Sequence, residues 1–391
     1  MADPFRPYDV AVVGAGPAGL AAALALAAAG ASVALVAPDT RGDDWRTAAL
    51  FGSSVDFLDR MGLIPALTPV AAPLRTMRLV DATDRLIRAP EVEFHAREIG
   101  RDLFGYNIAN RDIVAVLATA IAGRGDKVTR FAASLRRLDI ATDVATLQLD
   151  DGQALAARLV VGADGRASRV RASAGITVTS WRYPQTALVA NLEHSAPHDD
   201  TSTEFHTETG PFTLVPFGPG RSSLVCVERP RVVERMMTQP DAVLAADLER
   251  RAHSLLGAFR LVSPRQSWPM SAFKADRLAG PRTVLIGEAA HGFPPLGAQG
   301  LNLTLRDVAG LASIVGECLG QGDDPGDRAA IDRFVAARTG DVAGRVFGVD
   351  LLNRSLLSDA LPVQVLRSFG LGLARRLPPL RRLMLREGMR A

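Results

Sequence analysis

Residues 9–39 read DVAVVGAGPAGLAAALALAAAGASVALVAPD and carry no charged side chain between Val10 and Pro38. A stretch of that length could pass for a membrane span. Its Ala and Gly content is only weakly hydrophobic, and the glycines cluster near its start, so strand, turn and helix explain it better. Asp9–Val13 is expected to be a buried strand, Pro17–Ala29 an Ala-rich helix ending at Gly30, and Ser32–Ala37 a second β-branched strand. This βαβ unit places Gly14, Gly16 and Gly19 at the strand-to-helix turn, with Pro17 and Ala18 opening the helix. The first glycine permits the tight turn, the second lets backbone approach a pyrophosphate, and the third lets helix pack on strand. The helix N-terminus then offers free N–H groups and its dipole to the anion. An acidic residue is expected at the end of the second strand to hold a ribose. Ala37 stands there instead, followed by Pro38 and Asp39, so that contact passes to Asp39 or to backbone and water.

Two later stretches have related chemistry. Leu159–Arg171, LVVGADGRASRVR, is a strand running into Asp164-Gly165 with a helix beginning near Ser168. Thr283–Asn302, TVLIGEAAHGFPPLGAQGLN, is a short apolar strand, a proline-stiffened loop and the start of a helix from about Leu301 towards Leu319. Gly297 and Gly300 expose backbone N–H groups at that helix start, which suits the negative charge a reduced flavin carries. Taken singly, each motif also fits an ordinary capped turn.

In this order the three motifs resemble those of the FAD-dependent aromatic hydroxylases, the single-component flavoprotein monooxygenases, especially the ubiquinone-biosynthesis hydroxylase branch. The resemblance spans almost the whole chain. It implies that Gly14, Gly16, Pro17, Ala18 and Gly19 hold the ADP part of FAD, and that Asp164 lies near the pyrophosphate and the nicotinamide approach. It further implies that Gly287 and Glu288 stand where the family has Gly-Asp, whose acid holds the ribityl chain, here with one extra methylene. Pro294, Gly297, Gly300, Leu301 and Asn302 would line the flavin. Arg46, Thr47 and Ala48 resemble the family's arginine segment, and Arg111, after Asn110, its second flavin-contacting stretch. The implied activity is hydroxylation of an aromatic ring through a flavin C4a-hydroperoxide, with FAD bound, NAD(P)H a transient cosubstrate and O2 the oxidant. The implied substrate is a polyprenylated phenol precursor of ubiquinone. No single acid or base is assigned as catalytic, because an electron-rich ring supplies its own nucleophilicity. Two alternatives share many of these motifs: a hydroxylase of a small soluble aromatic acid, and a noncatalytic flavin-fold carrier of a prenylated partner, as in the Rab GDP-dissociation inhibitors.

The expected fold is α/β, a Rossmann-like FAD-binding domain interleaved with a mixed or antiparallel-sheet substrate domain, with a helical C-terminus. The FAD-binding domain takes residues 1–70, 101–175 and 280–340, the substrate domain 71–100 and 176–279, and a C-terminal helical segment 341–391. Glu204–His206, Phe212–Pro216 and Arg221–Val227 read as successive strands, with Gly218-Pro219-Gly220 a turn. Gly370-Leu371-Gly372 follows no strand, so NAD(P)H has no nucleotide domain of its own.

The 391 residues are 48% hydrophobic and 22% charged, which excludes a disordered chain. A net charge of +3 argues against nucleic acid as a partner. Cys226 and Cys318 are too few for a disulfide framework, and no signal peptide is recognisable, so a cytoplasmic location is expected. His95, His194, His198, His206 and His253 lack metal-ligand spacing, so no metal is expected, and His291 reads as a hydrogen-bonded structural histidine. From Leu351 the chain is rich in Leu and Arg. Leu366, Phe369, Leu373, Leu377 and Leu380 fall near one helical face, with Arg367, Arg375, Arg382 and Arg386 roughly opposite, interrupted by Pro378 and Pro379. Such a segment suits peripheral contact with the inner membrane, or a closing helix. Membership of a biosynthetic protein complex is a further expectation.

Overall fold

The computed structural model describes residues 7–39, 44–83, 88–294 and 299–357, together with 377, 379, 381–383 and 385. Five strands run parallel in the spatial order Thr283–Leu285, Ala154–Gly162, Tyr8–Val13, Val33–Val36, Val128–Phe131. Their apolar residues are buried on both faces, as parallel sheets require. The helix Pro17–Ala28 joins the first two in sequence and packs against the helices Asn110–Ala122 and Gln299–Gln321. Its residues from Gly19 to Ala27 are all buried, and alanine lets three elements approach one helix closely. The uncharged stretch from Val10 to Pro38 is therefore the centre of the core.

The strands Val33–Val36 and Ala154–Gly162 flank Tyr8–Val13 on opposite sides. A crevice opens at the carboxyl ends of strands at such a switch point, where open α/β sheets bind their ligands. Gly14 N–H donates to Val36 O (2.8 Å) and Ala163 N–H to Val13 O (2.9 Å), so the glycine turn and the Ala163-Asp164 turn lie side by side there.

A second sheet has nine strands, in the order His291–Gly292, Gln266–Ala275, Val178–His194, Arg221–Glu228, Pro211–Pro216, Thr201–His206, Thr76–Asp81, Val92–His95, with Phe259–Leu261 also beside Val178–His194. All its pairings are antiparallel except that of Thr76–Asp81 with Thr201–His206. The alternation of its strands yields two apolar faces. Leu188, Leu192, Phe205, Phe212, Leu214 and Leu224 pack beneath the helices Pro230–Thr238 and Asp241–Arg251. Ala187, Val225, Val227 and Met270 pack with Phe293 on the other side.

A three-stranded antiparallel sheet, Thr47–Phe51, Gly105–Ala109 and Ala71–Leu74, bridges the two larger ones. Thr47 Oγ1 lies 2.9 Å from Ser223 Oγ, and Asn107 Nδ2 donates to Pro216 O at 2.8 Å. The helix Arg328–Leu357 runs through residue 340 without a break and covers the Gln266–Ala275 strand. Of the Leu- and Arg-rich tail, Leu366, Phe369, Leu373, Leu380, Arg367, Arg375, Arg386 and Pro378 lie outside the described residues, whereas Leu377 and Arg382 are exposed. Arg381 pairs with Glu98 and stacks over Phe94, and Leu385 is buried with Phe51, Leu74 and Phe104.

Candidate functional site

The three glycines of the turn answer three separate constraints. Gly14 has φ +115°, and a Cβ there would overlap the Ala163 carbonyl. A Cβ on Gly19 would overlap the Gly14 carbonyl. Gly16 is exposed, and a Cβ there meets nothing within 4 Å. Gly16 is also the N-cap of Pro17–Ala28, with no side-chain cap and no acidic residue in the first turn. Free N–H groups at a helix start beneath open space form an anion site.

Two further turns close on this one. Gly287 has φ +56°, and a Cβ there would come 3.1 Å from Thr304 and 3.4 Å from the Ala18 methyl, so the Gly287-Glu288 corner packs between the two helices at the crevice. Glu288 itself is exposed. Asp164 Oδ2 accepts from the N–H groups of Arg169 (2.7 Å) and Val170 (3.2 Å), starting the helix Arg169–Ser173. Its Oδ1 is buried and has no hydrogen-bond partner among the described residues. A buried acceptor of this kind calls for a donor from outside the protein chain.

The arginine segment lies beside the corner. The Arg46 guanidinium forks onto Asp44 at 2.8 Å and stacks over Trp268, 5.3 Å from the ring centre. Hydrogen bonding to Asp44 raises its pKa against the effect of burial, and the charges of Asp44 and Glu288 add to the rise. Burial pushes the Asp44 carboxyl up, but its hydrogen bonds to Arg46 and Asn110 hold it below the ordinary value. Asn110 N–H donates to Arg46 O (3.0 Å), and Arg111 stacks over Trp45 at 4.7 Å, so the two arginine stretches are neighbours. Thr47 is engaged with Ser223, and Ala48 is packed against the core.

The loop after Glu288 carries Pro294, which is buried, and leads to Leu301, half-buried against the core, and Gly300, exposed with open space. Gly297 lies outside the described residues. Asn302 is fully buried, donating from Nδ2 to Ala49 O (2.8 Å) and accepting on Oδ1 from Phe51 N–H (3.0 Å). Its amide therefore ties the long helix to the Thr47–Phe51 strand. Asp39 stands apart, paired with Arg130 at 2.6 Å on the surface.

A buried network beneath the loop escapes motif reading. Asp307 accepts from His291 Nε2 (2.8 Å), Arg338 Nε (2.8 Å) and Gly287 N–H (3.3 Å), and Arg338 also reaches Asp341 (2.7 Å). Asp307 and His291 are each 2% exposed. Burial pushes Asp307 up, but the charges and hydrogen bonds of His291 and Arg338 outweigh it and hold the carboxyl below its ordinary value. An Arg306-Asp307 pair between the apolar runs of the helix Gln299–Gln321 is the sequence signal that could have pointed to it. This network anchors the Gly287 corner, the His291 loop and the helix Arg328–Leu357 to one carboxylate.

Residues 7–339 match the family model described as FAD binding domain. The ubiquinone hydroxylase UbiL of Rhodospirillum rubrum is 36% identical over 388 residues, covering 97% of this chain and 89% of that one. The 3-demethoxyubiquinol 3-hydroxylase of Escherichia coli is 29% identical over 395 residues, covering 98% and 99%. The crystal structure of p-nitrophenol 4-monooxygenase from Pseudomonas putida shares the fold with a TM-score of 0.79 over 98% of each chain, at 20% identity.

Proposed function

The chain belongs to the FAD-dependent aromatic hydroxylases, in their ubiquinone-hydroxylase branch, and from that premise we propose that it hydroxylates the ring of a polyprenylated phenol precursor of ubiquinone, using FAD, NAD(P)H and O2. The observation that carries this reading is a convergence: the open helix start at Gly16, the unpartnered Asp164 Oδ1 and the Gly287-Glu288 corner meet in one crevice, opposite an apolar sheet face.

Bound FAD supplies the redox chemistry that reduces O2 and delivers one of its oxygen atoms. The chain's own residues position and shield. Gly14, Gly16, Pro17, Ala18 and Gly19 would hold the pyrophosphate on the helix N-terminus, and Asp164 would accept from the ligand through Oδ1. Glu288, beside Gly287, would take the ribityl hydroxyls, while Arg46, Thr47, Ala48 and Arg111 would flank the ring system. Pro294 would line that ring system, and the backbone N–H groups of Gly300, Leu301 and Asn302 would offer donors to its pyrimidine edge. Ala187, Val225, Val227, Met270 and Phe293 would exclude water from the reacting centre. The apolar character of that wall favours a prenylated ring over a small aromatic acid.

In this reading residues 1–70, 101–175 and 280–340 serve FAD, and 71–100 with 176–279 serve the substrate. No helix among the described residues is long and apolar enough to cross a membrane. Peripheral contact with the inner membrane, within a biosynthetic complex, fits the exposed Phe347, Leu351, Leu377 and Leu383. Flotation with anionic vesicles tests that contact, and protein left wholly in the bottom fraction refutes it. The activity is tested by anaerobic flavin reduction with NADPH and with NADH, with and without a detergent-solubilised prenylphenol, followed by oxygenation. Faster reduction with the lipid and stoichiometric hydroxylated product is the expected result. Bound FAD with a prenylphenol that changes neither reduction nor product overturns the substrate assignment.

A further inference from the structure

The strand Gln266–Ala275 changes character along the side it turns to the crevice. Ala272, Met270 and Trp268 alternate onto that side. Ala272 and Met270 are 1% and 3% exposed and belong to the apolar wall that packs with Phe293. Phe273, next along the strand, pairs with Gly292, so this end of the wall lies beside the loop after Glu288. Trp268 stands directly opposite Ala187, another wall residue, and directly opposed residues on antiparallel strands point the same way. Its indole therefore continues the wall, yet it is 48% exposed. The wall is closed beside that loop and open at Trp268.

The open end belongs to the crevice rather than to the outer surface. The Arg46 guanidinium stacks over the indole, 5.3 Å from its centre, while Asp44 holds Arg46 through a fork at 2.8 Å. The charge of Glu288 adds to the rise in the Arg46 pKa, which places the same guanidinium near the Gly287-Glu288 corner. One cation thus joins Trp268 to the crevice margin and steadies its ring. An exposed apolar residue standing alone calls for no explanation, but Trp268 carries a buried apolar wall out to solvent. Leaving a large aromatic surface wet at the end of that wall is unfavourable, and an apolar chain laid over it removes the cost.

We propose, on the basis of the hydroxylase reading above, that Trp268 carries the prenyl chain of the substrate where it leaves the crevice. The ring to be hydroxylated lies at the closed end, where Ala187, Val227, Met270 and Phe293 exclude water. A polyprenyl chain outruns a wall of this length and has to pass into solvent or a lipid surface. The exposed part of the indole lies on that way out, so the isoprene units nearest the ring cover it. Arg46 keeps the indole against the strand. The contact makes and breaks no bond. It sets the preference for a prenylated ring over a bare one, the distinction that separates the two substrate classes expected from the sequence.

The test compares wild-type holoenzyme with Trp268→Ala and Trp268→Phe, using phenols that differ only in their chain: none, a single isoprene unit, or a pair of them. Kd is read anaerobically from the change in flavin absorbance, and FAD content is measured alongside. In wild type the first isoprene unit should tighten Kd by at least about tenfold. Trp268→Ala should lose most of that gain, and Trp268→Phe should keep part of it, with FAD content unchanged in both. An equal gain in wild type and Trp268→Ala overturns the proposal. So does a loss of FAD, or a Kd for the chainless phenol that weakens as much as those of the prenylated ones, because the indole would then support the flavin or the ring. Wild-type enzyme whose Kd is indifferent to the chain refutes the prenylphenol reading itself, and the proposal with it.

Discussion

Replacing Asp307 by Ala removes the carboxylate on which three elements meet. His291 Nε2 and the Gly287 N–H lose their acceptor, and Arg338, 8% exposed, keeps Asp341 as its ion-pair partner among the described residues. Breaking a buried ion pair by deleting one partner costs 3–5 kcal/mol; because Asp341 still neutralises Arg338, we expect about 3 kcal/mol. Deleting Arg338 as well, in Asp307→Ala/Arg338→Met, removes the cation that lost Asp307, so the double variant's loss should be at least ~1 kcal/mol smaller than the sum of the single losses. The assay is urea unfolding of the holoenzyme, followed by circular dichroism and flavin fluorescence, with the midpoint compared at unchanged slope. The Gly287 corner loses its anchor, so FAD release should be faster as well. The pH dependence follows from the depressed pKa of Asp307. Its stabilisation is complete above the ordinary carboxylate value of 3.8 and is lost as pH falls through the lower folded value, so wild type and variant should converge only in strong acid. A loss below about 1 kcal/mol, or additive single losses, would show that the network is not the joint described here.

The remaining predictions concern the crevice and its margin. Gly19→Ala should prevent the helix from seating on the glycine turn and lower the apoprotein melting point sharply, whereas Gly16→Ala should melt like wild type yet bind FAD at least about tenfold more weakly, since its methyl enters only the ligand space. Equal FAD affinity in Gly16→Ala would contradict the anion site. Glu288→Ala should weaken FAD by about tenfold on titration of apoprotein, the equivalent of one lost hydrogen bond, and unchanged affinity would remove Glu288 from the ribityl contact. Tyr183 donates to Asp350 (2.6 Å), and burial together with that carboxylate pushes its pKa up to about 12. The raised value means that its contribution is full below the ordinary 10 and vanishes as pH rises through about 12. Tyr183→Phe should therefore lose about 1 kcal/mol at neutral pH, while wild type minus variant should show no phenolate absorbance until the pH approaches that raised value. Phenolate appearing near the ordinary value would refute the assignment.

Much of this protein can be read along the chain because the relevant constraints are local. The βαβ unit follows from β-branched runs, an alanine helix and three glycines; Gly19 is explained by the Gly14 carbonyl and Gly14 by the Ala163 turn, while Gly16 borders open space. Three strands of the second sheet, Thr201–His206, Pro211–Pro216 and Arg221–Glu228, follow from short runs bounded by turn residues, and Asp164, Gly287 and Glu288 follow from the punctuation after apolar strands. What only the tertiary structure decides are the pairings between segments distant along the chain. Asn302 looks like a ligand donor in sequence, yet its amide is spent on Ala49 and Phe51. Thr47 likewise meets Ser223, and Arg46 meets Trp268. Asp307 finds His291 and Arg338 because two helices and a loop converge, which no local pattern encodes. Whether Val225 packs towards Phe293 or beneath the two helices depends on strand register, and a slip of one residue would reverse the answer. Local geometry is imposed by each residue's own backbone and period, whereas the partner of a buried polar group is chosen by whichever distant segment the packed core brings alongside it.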